Sequence, residues 1–284
     1  MMLDWKRKKQ KREVEERQAS NGVIYLAFPA LEKSGVVKHG FSTRFGGVSQ
    51  GCFSSMNLSL SKPDKATNVR TNFQRMAQAL DVSYESLTLA YQVHSTNVRV
   101  LGKEDRGFGI TKERPYRDVD GLVTNQREIT LVSFFADCIP LYFVDSKNHA
   151  IGLAHSGWRG TLQKIGQRMF ETMQREYGTE AEHLLACIGP GICIDCYEVG
   201  DELYQAFQSS FDPCSLEDIF VKKANTKYHL NLMEANKRIL LQLGVLEENI
   251  HVSDICTHCN SDYLFSHRKH GENRGNLAAF LALR

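Results

Sequence analysis

Residues 129–160 read ITLVSFFADCIPLYFVDSKNHAIGLAHSGWRG. The runs ITLVSFF, IPLYFVD and HAIGLAHS are short, rich in β-branched and aromatic residues, and separated by turn residues. Such runs predict consecutive strands. Two of them deliver a soft, metal-capable side chain at a strand end: Cys138 just after the first run, and His155 at the close of the third. In a strand–turn–strand unit the end of one strand and the end of its neighbour can lie close in space.

The same strand character continues on both sides. LTLAYQVHS (87–95) and DGLVT (120–124) precede the stretch; HLLACIGPG (183–191) follows it, and NIHVSDICT (249–257), YLFSHR (263–268) and GNLAAFLAL (275–283) close the chain as strand-like pieces. Nearer the start, NGVIYLAF (21–28) signals a strand, and VVKHGFSTRFGGVSQG (36–51) reads as a strand entering a Gly-rich loop. Helical spacing of apolar residues appears in 65–80, in 162–178, which ends at Gly178, and in 232–244, which ends on a glycine as well. Interleaved helices and mixed strands predict an α+β or α/β fold with layered sheets.

The chain has 284 residues, enough for one large domain or two ordinary ones. There is no internal repeat, low-complexity linker or clean boundary, so residues 21–284 are expected to form a single domain. Residues 1–20 are a charge run with few apolar anchors and are expected to be a flexible arm, frayed or disordered. The glutamates interspersed there argue against a nucleic-acid-binding tail. A net charge of +2 with 24% charged residues excludes a general polyanion binder, while specific anion sites stay possible. No stretch approaches about 18 uninterrupted apolar residues, so no membrane span is expected. The start lacks a signal peptide's apolar centre, which predicts a cytoplasmic protein whose 8 cysteines stay reduced.

His94, in QVHS at the end of another strand-like run, joins Cys138 and His155. These are three good ligands for Zn²⁺ or copper, and three protein ligands leave one coordination position open, as catalytic sites do. Alone, each would read as an ordinary hydrogen-bonded histidine or a small buried thiol. Two C-x-x-C pairs, Cys193/Cys196 and Cys256/Cys259, offer a rival, closed zinc site. The interval between them exceeds that of finger or ribbon modules and contains a helix. They are therefore expected to remain unligated thiols that do not share a metal.

Anion-binding groups are plentiful. Arg44 lies in the Gly-rich STRFGG loop, and Arg159 lies at the predicted helix start in HSGWRG, where backbone N–H groups favour an anion. Arg268 and Arg274 add two more. No Walker A lysine, no G-x-G-x-x-G after a strand and no G-x-S-x-G elbow is present.

Together HGFSTRFGGVSQG, QVHS, DGLVT, ADCIPLYFVD, AHSGWRGT, IGPGI…CYEV, DICTHC and YLFSHR…RGN resemble the YfiH-like, laccase-domain family, also called the multicopper polyphenol oxidase or purine nucleoside phosphorylase family. The resemblance runs from about residue 36 to the C-terminus. It implies an α/β/β/α-layered fold of mixed sheets, and it implies His94, Cys138 and His155 as the metal ligands. The implied activities are phosphorolysis of adenosine, inosine, guanosine or methylthioadenosine, with purine nucleosides and inorganic phosphate as partners, and deamination of adenosine. Copper-dependent polyphenol oxidation and a role in the fidelity of peptidoglycan precursors are the alternatives. A multicopper oxidase of the ordinary type needs many histidines in H-x-H pairs; this chain has 10 histidines and no such pair. Deamination suits a Zn²⁺ with an open position. The H-x-E glutamate of zinc deaminases is absent, and Asp137 is the candidate proton shuttle in its place, with turn capping as its alternative role. Phosphorolysis needs an anion site, for which Arg44 and Arg159 are the first candidates and Arg268 and Arg274 the next. Asn57 and Gln92 are candidates for contacts with ribose or base.

Overall fold

The stretch 129–160 folds as strands Thr130–Phe135, Ile139–Asp145 and Ala150–Ser156, followed by a helix from Trp158. The computed structural model describes residues 3–8, 11–223 and 226–284. In chain order the strands are β1 (Glu15–Gln18), β2 (Ile24–Ala27), β3 (Val37–Ser42), β4 (Leu87–Leu89), β5 (Val98–Val100), β6 (Gly121–Thr124), β7 (Thr130–Phe135), β8 (Ile139–Asp145), β9 (Ala150–Ser156), β10 (Leu184–Ile188), β11 (Glu198–Val199), β12 (Phe220–Lys222), β13 (Tyr228–Leu230), β14 (Ile250–Val252) and β15 (Leu277–Leu283). The helices are α1 (Pro29–Lys33), α2 (Ala66–Ala79), α3 (Trp158–Leu162), α4 (Ile165–Tyr177), α5 (Asp201–Gln208), α6 (Pro213–Ile219), α7 (Leu232–Gln242) and α8 (His267–His270).

Two six-stranded mixed sheets are formed. One runs β1-β2-β3-β15-β7-β4, the other β14-β10-β8-β9-β6-β5. Period-2 alternation decides how they stack. Along β8, Ile139, Leu141 and Phe143 face one apolar cluster with Met169, Met173, Ile239 and Leu240 of α4 and α7. Tyr142 and Val144 face the opposite way, into a cluster shared with Phe41, Phe135, Leu131 and Leu281 of the first sheet. On the far side, Phe280 and Val132 meet Val69, Phe73 and Met76 of α2. The order is therefore helix, sheet, sheet, helix, which is the layering expected from the family resemblance. Gly152 lets α4 approach β9 closely: a Cβ there would stand 2.6 Å from Met169 Cε.

Several expectations are corrected. YLFSHR is not a strand: Leu264 and Phe265 are fully buried, but the chain turns there and Ser266 caps α8. LTLAYQVHS is strand only over β4, because the segment beyond it leaves the sheet edge to reach the second sheet. The helix expected over 162–178 is interrupted at Lys164, whose φ of 58° separates α3 from α4. The third sheet, β11-β13-β12, and helices α5 and α6 lie in a stretch for which no element is expected. Among the described residues no helix is long and apolar enough to cross a membrane.

The charged arm is anchored. Val14 is fully buried, and β1 pairs antiparallel with β2. Trp5 packs edge-on against Tyr263 and donates its indole N–H to Glu16. Arg7 pairs at 2.5 Å with Asp254, whose side chain is wholly buried. The flexible-arm expectation failed because two apolar residues and one arginine with a buried partner were hidden in a charge run. Residues 1, 2, 9 and 10 lie outside the described residues. Replacing Arg7 with alanine strands the buried Asp254 carboxylate, which is expected to cost about 2–4 kcal/mol. Urea unfolding of Arg7→Ala checks this; a loss below about 0.5 kcal/mol, ordinary for a surface change, contradicts it.

Candidate metal centre

Strand registers bring the three soft donors together. In β8–β9, Ile139 stands opposite Ser156, so Cys138 falls beside Gly157. In β6–β9, Gly121 stands opposite Ala154, and the next backbone bond runs from His155 N–H to the Asp120 carbonyl at 2.9 Å. His94 arrives from the other sheet, on the loop that follows β4. One donor atom from each of His94, Cys138 and His155 lies within 4.8 Å of the others. His94 Nε2 is 3.9 Å from Cys138 Sγ, and the two imidazoles meet edge-on with centroids 4.8 Å apart.

The buried carboxylate of Asp120 organises this cluster. It accepts the backbone N–H groups of Val93, His94 and Ser95 at 3.0, 3.2 and 3.0 Å, and the Ser95 hydroxyl at 3.2 Å. It also sits 2.8 Å from Nδ1 of His155. The first set pins His94 in a left-handed conformation, φ 65°, which non-glycine residues adopt only when held there. The second leaves Nε2 of His155 for the cluster. Gly157 is required for the same approach: a Cβ there would lie 2.9 Å from His94 Cδ2 and 3.0 Å from Cys138 Sγ.

The electrostatics suit a cation. Burial pushes the Cys138 thiol up, but the charge and hydrogen bonds of His155 and the hydrogen bond of His94 outweigh it and bring it to about 6. Burial pushes His155 down; Cys138 and Asp120 outweigh that and raise it to about 9. Burial likewise raises Asp120, and His155 with the loop N–H groups holds it below its usual value. The two shifts favour negative charge on Cys138 and positive charge on His155, and a cation entering the cluster would take the place of the imidazole proton. Zn–S and Zn–N bonds of about 2.3 and 2.1 Å place tetrahedral S and N about 3.6 Å apart, close to the observed spacing. The residues fit a three-coordinate N₂S site with one open position.

Two clefts meet here. One, of about 370 Å³, is walled by Tyr91, Phe134, Phe135, Arg114 and Arg274. The other, of about 250 Å³, is walled by Trp158, Arg159, Tyr197, His267 and Arg268. His94, Ala136 and Cys138 line both.

A profile described as multi-copper polyphenol oxidoreductase laccase matches residues 38–284. Purine nucleoside phosphorylase YlmD of Bacillus subtilis is 33% identical over 246 residues, 86% of this chain and 88% of its own. The chain belongs to this YfiH/laccase-like family. Adenosine deaminase RL5, from an unknown prokaryotic organism, is 36% identical over 238 residues, 83% of this chain and 90% of its own. The crystal structure of YlmD from Geobacillus stearothermophilus superposes with a TM-score of 0.86 at 32% identity, covering 95% of this chain and 98% of that one.

The other residues singled out in this YfiH-like chain divide into two groups. Arg159, on α3, projects into the smaller cleft over the Trp158 ring at 4.2 Å, and among the described residues no carboxylate pairs with it. Arg268 lines the same cleft, with its guanidinium on the Glu198 carbonyl at 3.1 Å. Arg274 lines the larger one, where it bonds Gly275 and Asn276. Arg44 lines neither: it donates to the Ser54 and Ser261 carbonyls and lies over the Phe265 ring, so it braces two loops and is not placed to hold an anion. Asn57 is fully buried and caps its own turn through Ser59 and Asn276. Gln92 makes reciprocal bonds to the backbone of Phe134, at 2.8 and 2.7 Å. Asp137 has both carboxylate oxygens engaged, by the Thr257 hydroxyl at 2.6 Å and the Arg268 N–H at 2.7 Å. Gln92 lines the larger cleft and Asp137 the smaller one, and in both the polar atoms are engaged by these contacts. Asp120 is the residue sequence reasoning missed; its only signal was an acid opening the DGLVT strand.

Asp120→Asn keeps the side-chain size but weakens the partner of His155. Metal affinity is expected to fall about 10- to 100-fold. Competition with a chromophoric chelator reads it, and an unchanged affinity contradicts the role given to Asp120.

Proposed function

We propose that this chain is a zinc-dependent purine nucleoside enzyme that cleaves adenosine, inosine, guanosine or methylthioadenosine with phosphate and also deaminates adenosine. The observation that carries this reading is the N₂S cluster at the meeting point of two clefts, one of them with an arginine that no carboxylate pairs with among the described residues. A divalent metal held by His94, Cys138 and His155 supplies a Lewis acid with an open position. The larger cleft falls in the volume range of small-molecule sites, and its aromatic wall of Tyr91, Phe134 and Phe135 suits a flat purine.

Phosphorolysis requires an oxygen of inorganic phosphate to attack C1′ while the N9–C1′ bond breaks and the purine leaves. Arg159 holds the phosphate in the smaller cleft, because its planar fork matches phosphate oxygens and, among the described residues, no carboxylate competes for it. Arg268 lies on the same wall. Deamination, with water replacing ammonia at C6, uses the same purine pocket and needs no phosphate. The names of YlmD and RL5 support both halves of the reading. The laccase description points to copper, but among the described residues no histidine-rich group capable of holding several coppers accompanies the N₂S cluster.

Release of hypoxanthine from inosine, followed against phosphate concentration, tests the reading. Activity should require phosphate and metal; absence of turnover with every purine nucleoside overturns it. Within that assay, Arg159→Ala should raise the phosphate requirement roughly 10- to 150-fold, the equivalent of about 1.5–3 kcal/mol for one charge-assisted contact, and change adenosine deamination less. Arg44→Ala should leave the phosphate requirement alone. The opposite ranking would move the phosphate to the Gly-rich loop.

A further inference from the structure

The two C-x-x-C pairs, separated by most of a helical crossover, converge. Strands β10 and β14 pair in parallel, with Ile188 opposite Val252, an offset of 64 residues. The chains run off those adjacent strand ends side by side. Gly191 and Cys256 form a further bridge, and Thr257 N–H reaches the Gly191 carbonyl at 3.0 Å. Cys193 and Cys256, 63 residues apart in sequence, therefore meet, as do Cys196 and Cys259. All four sulfurs lie within 4.8 Å of one another, and Cys196 Sγ is 3.4 Å from Cys259 Sγ. The expectation that a long interval keeps the pairs apart is corrected: parallel pairing cancels the interval.

We propose that Cys193, Cys196, Cys256 and Cys259 bind one Zn²⁺ as a closed tetrathiolate site, separate from the N₂S centre. Tetrahedral Zn–S bonds of about 2.3 Å place sulfurs about 3.8 Å apart, so the four thiols need only small shifts to bind. One sulfur is already served as thiolates in such sites are: Cys256 Sγ accepts the backbone N–H groups of Cys193 at 3.2 Å and Cys259 at 3.5 Å. A tetrathiolate zinc carries net negative charge, and Lys8, bonded to Asp195 at 3.0 Å, brings a cation from the N-terminal segment. The same segment covers the knot through Lys6 and Asn260, whose backbone and amide groups exchange bonds at 2.8 and 3.1 Å. Four complete protein ligands leave no open position, so the site is structural.

Its place gives it a task. Tyr197, directly after Cys196, walls the smaller cleft. Thr257, directly after Cys256, donates to Asp137, the neighbour of Cys138. The knot thereby fixes the wall that faces the N₂S centre, without touching substrate.

Elemental analysis of full-length Cys138→Ala tests the proposal independently of catalysis. That variant leaves the knot intact, and one zinc per chain is expected to remain. Adding Cys256→Ser and Cys259→Ser to it should bring zinc to zero. Should that triple variant fail to fold, cobalt replacement in Cys138→Ala still decides, because a tetrathiolate gives strong thiolate-to-cobalt charge transfer. A zinc-free Cys138→Ala whose four cysteines alkylate readily overturns the proposal. So does an intact mass lowered by the hydrogens of two disulfides. Iron in place of zinc overturns the zinc assignment.

Discussion

The carboxylate of Asp120 is the contact on which the centre depends. Five donors converge on one fully buried group: three loop N–H groups, one hydroxyl and one imidazole. A buried carboxylate is stable only when so saturated. The same saturation welds a loop of the first sheet to a strand end of the second. Without it, His94 would have no reason to hold a left-handed backbone, and His155 no reason to present Nε2.

The layered fold exists to bring those ends together. Alternating faces of β8 and β9 are apolar on both sides, which forces the second sheet between a helix layer and the first sheet. Cys138 lies at the entry to β8 and His155 near the exit of β9, so the antiparallel register sets the spacing of sulfur and nitrogen. At Gly157 the absence of a Cβ lets His94 and Cys138 close on each other. The helix that follows carries Arg159 to the second cleft. Sheet register, one glycine and one helix start thus place the soft donors within one site, beside an arginine that no carboxylate pairs with among the described residues.

Legibility in the sequence followed the range of the signal. Period-2 runs over 130–156 and helical spacing over 66–79 are local patterns, and those elements form as read. The donors His94, Cys138 and His155 were legible because each ends such a run. Asp120 was not, because its role lies in partners from 27 residues upstream to 35 downstream. The cysteine pairs looked unrelated because parallel pairing across a crossover erases sequence distance. Residues such as Arg44, Asn57 and Gln92 have side chains that suit substrates, but burial and nearby backbone carbonyls or N–H groups claim them first, and sequence carries no measure of either. In the N-terminal run, Val14 and Arg7 are single residues whose partners are far away, so composition outvoted them.

Three side chains from two sheets are placed to close on one metal. Anomalous diffraction at the zinc edge, on crystals of the full chain grown without chelator, tests that most directly. A peak bonded to His94 Nε2, Cys138 Sγ and His155 Nε2, with its fourth position turned to the two clefts, is the predicted result. A catalytically active crystal with zinc elsewhere and those three side chains unligated would contradict it.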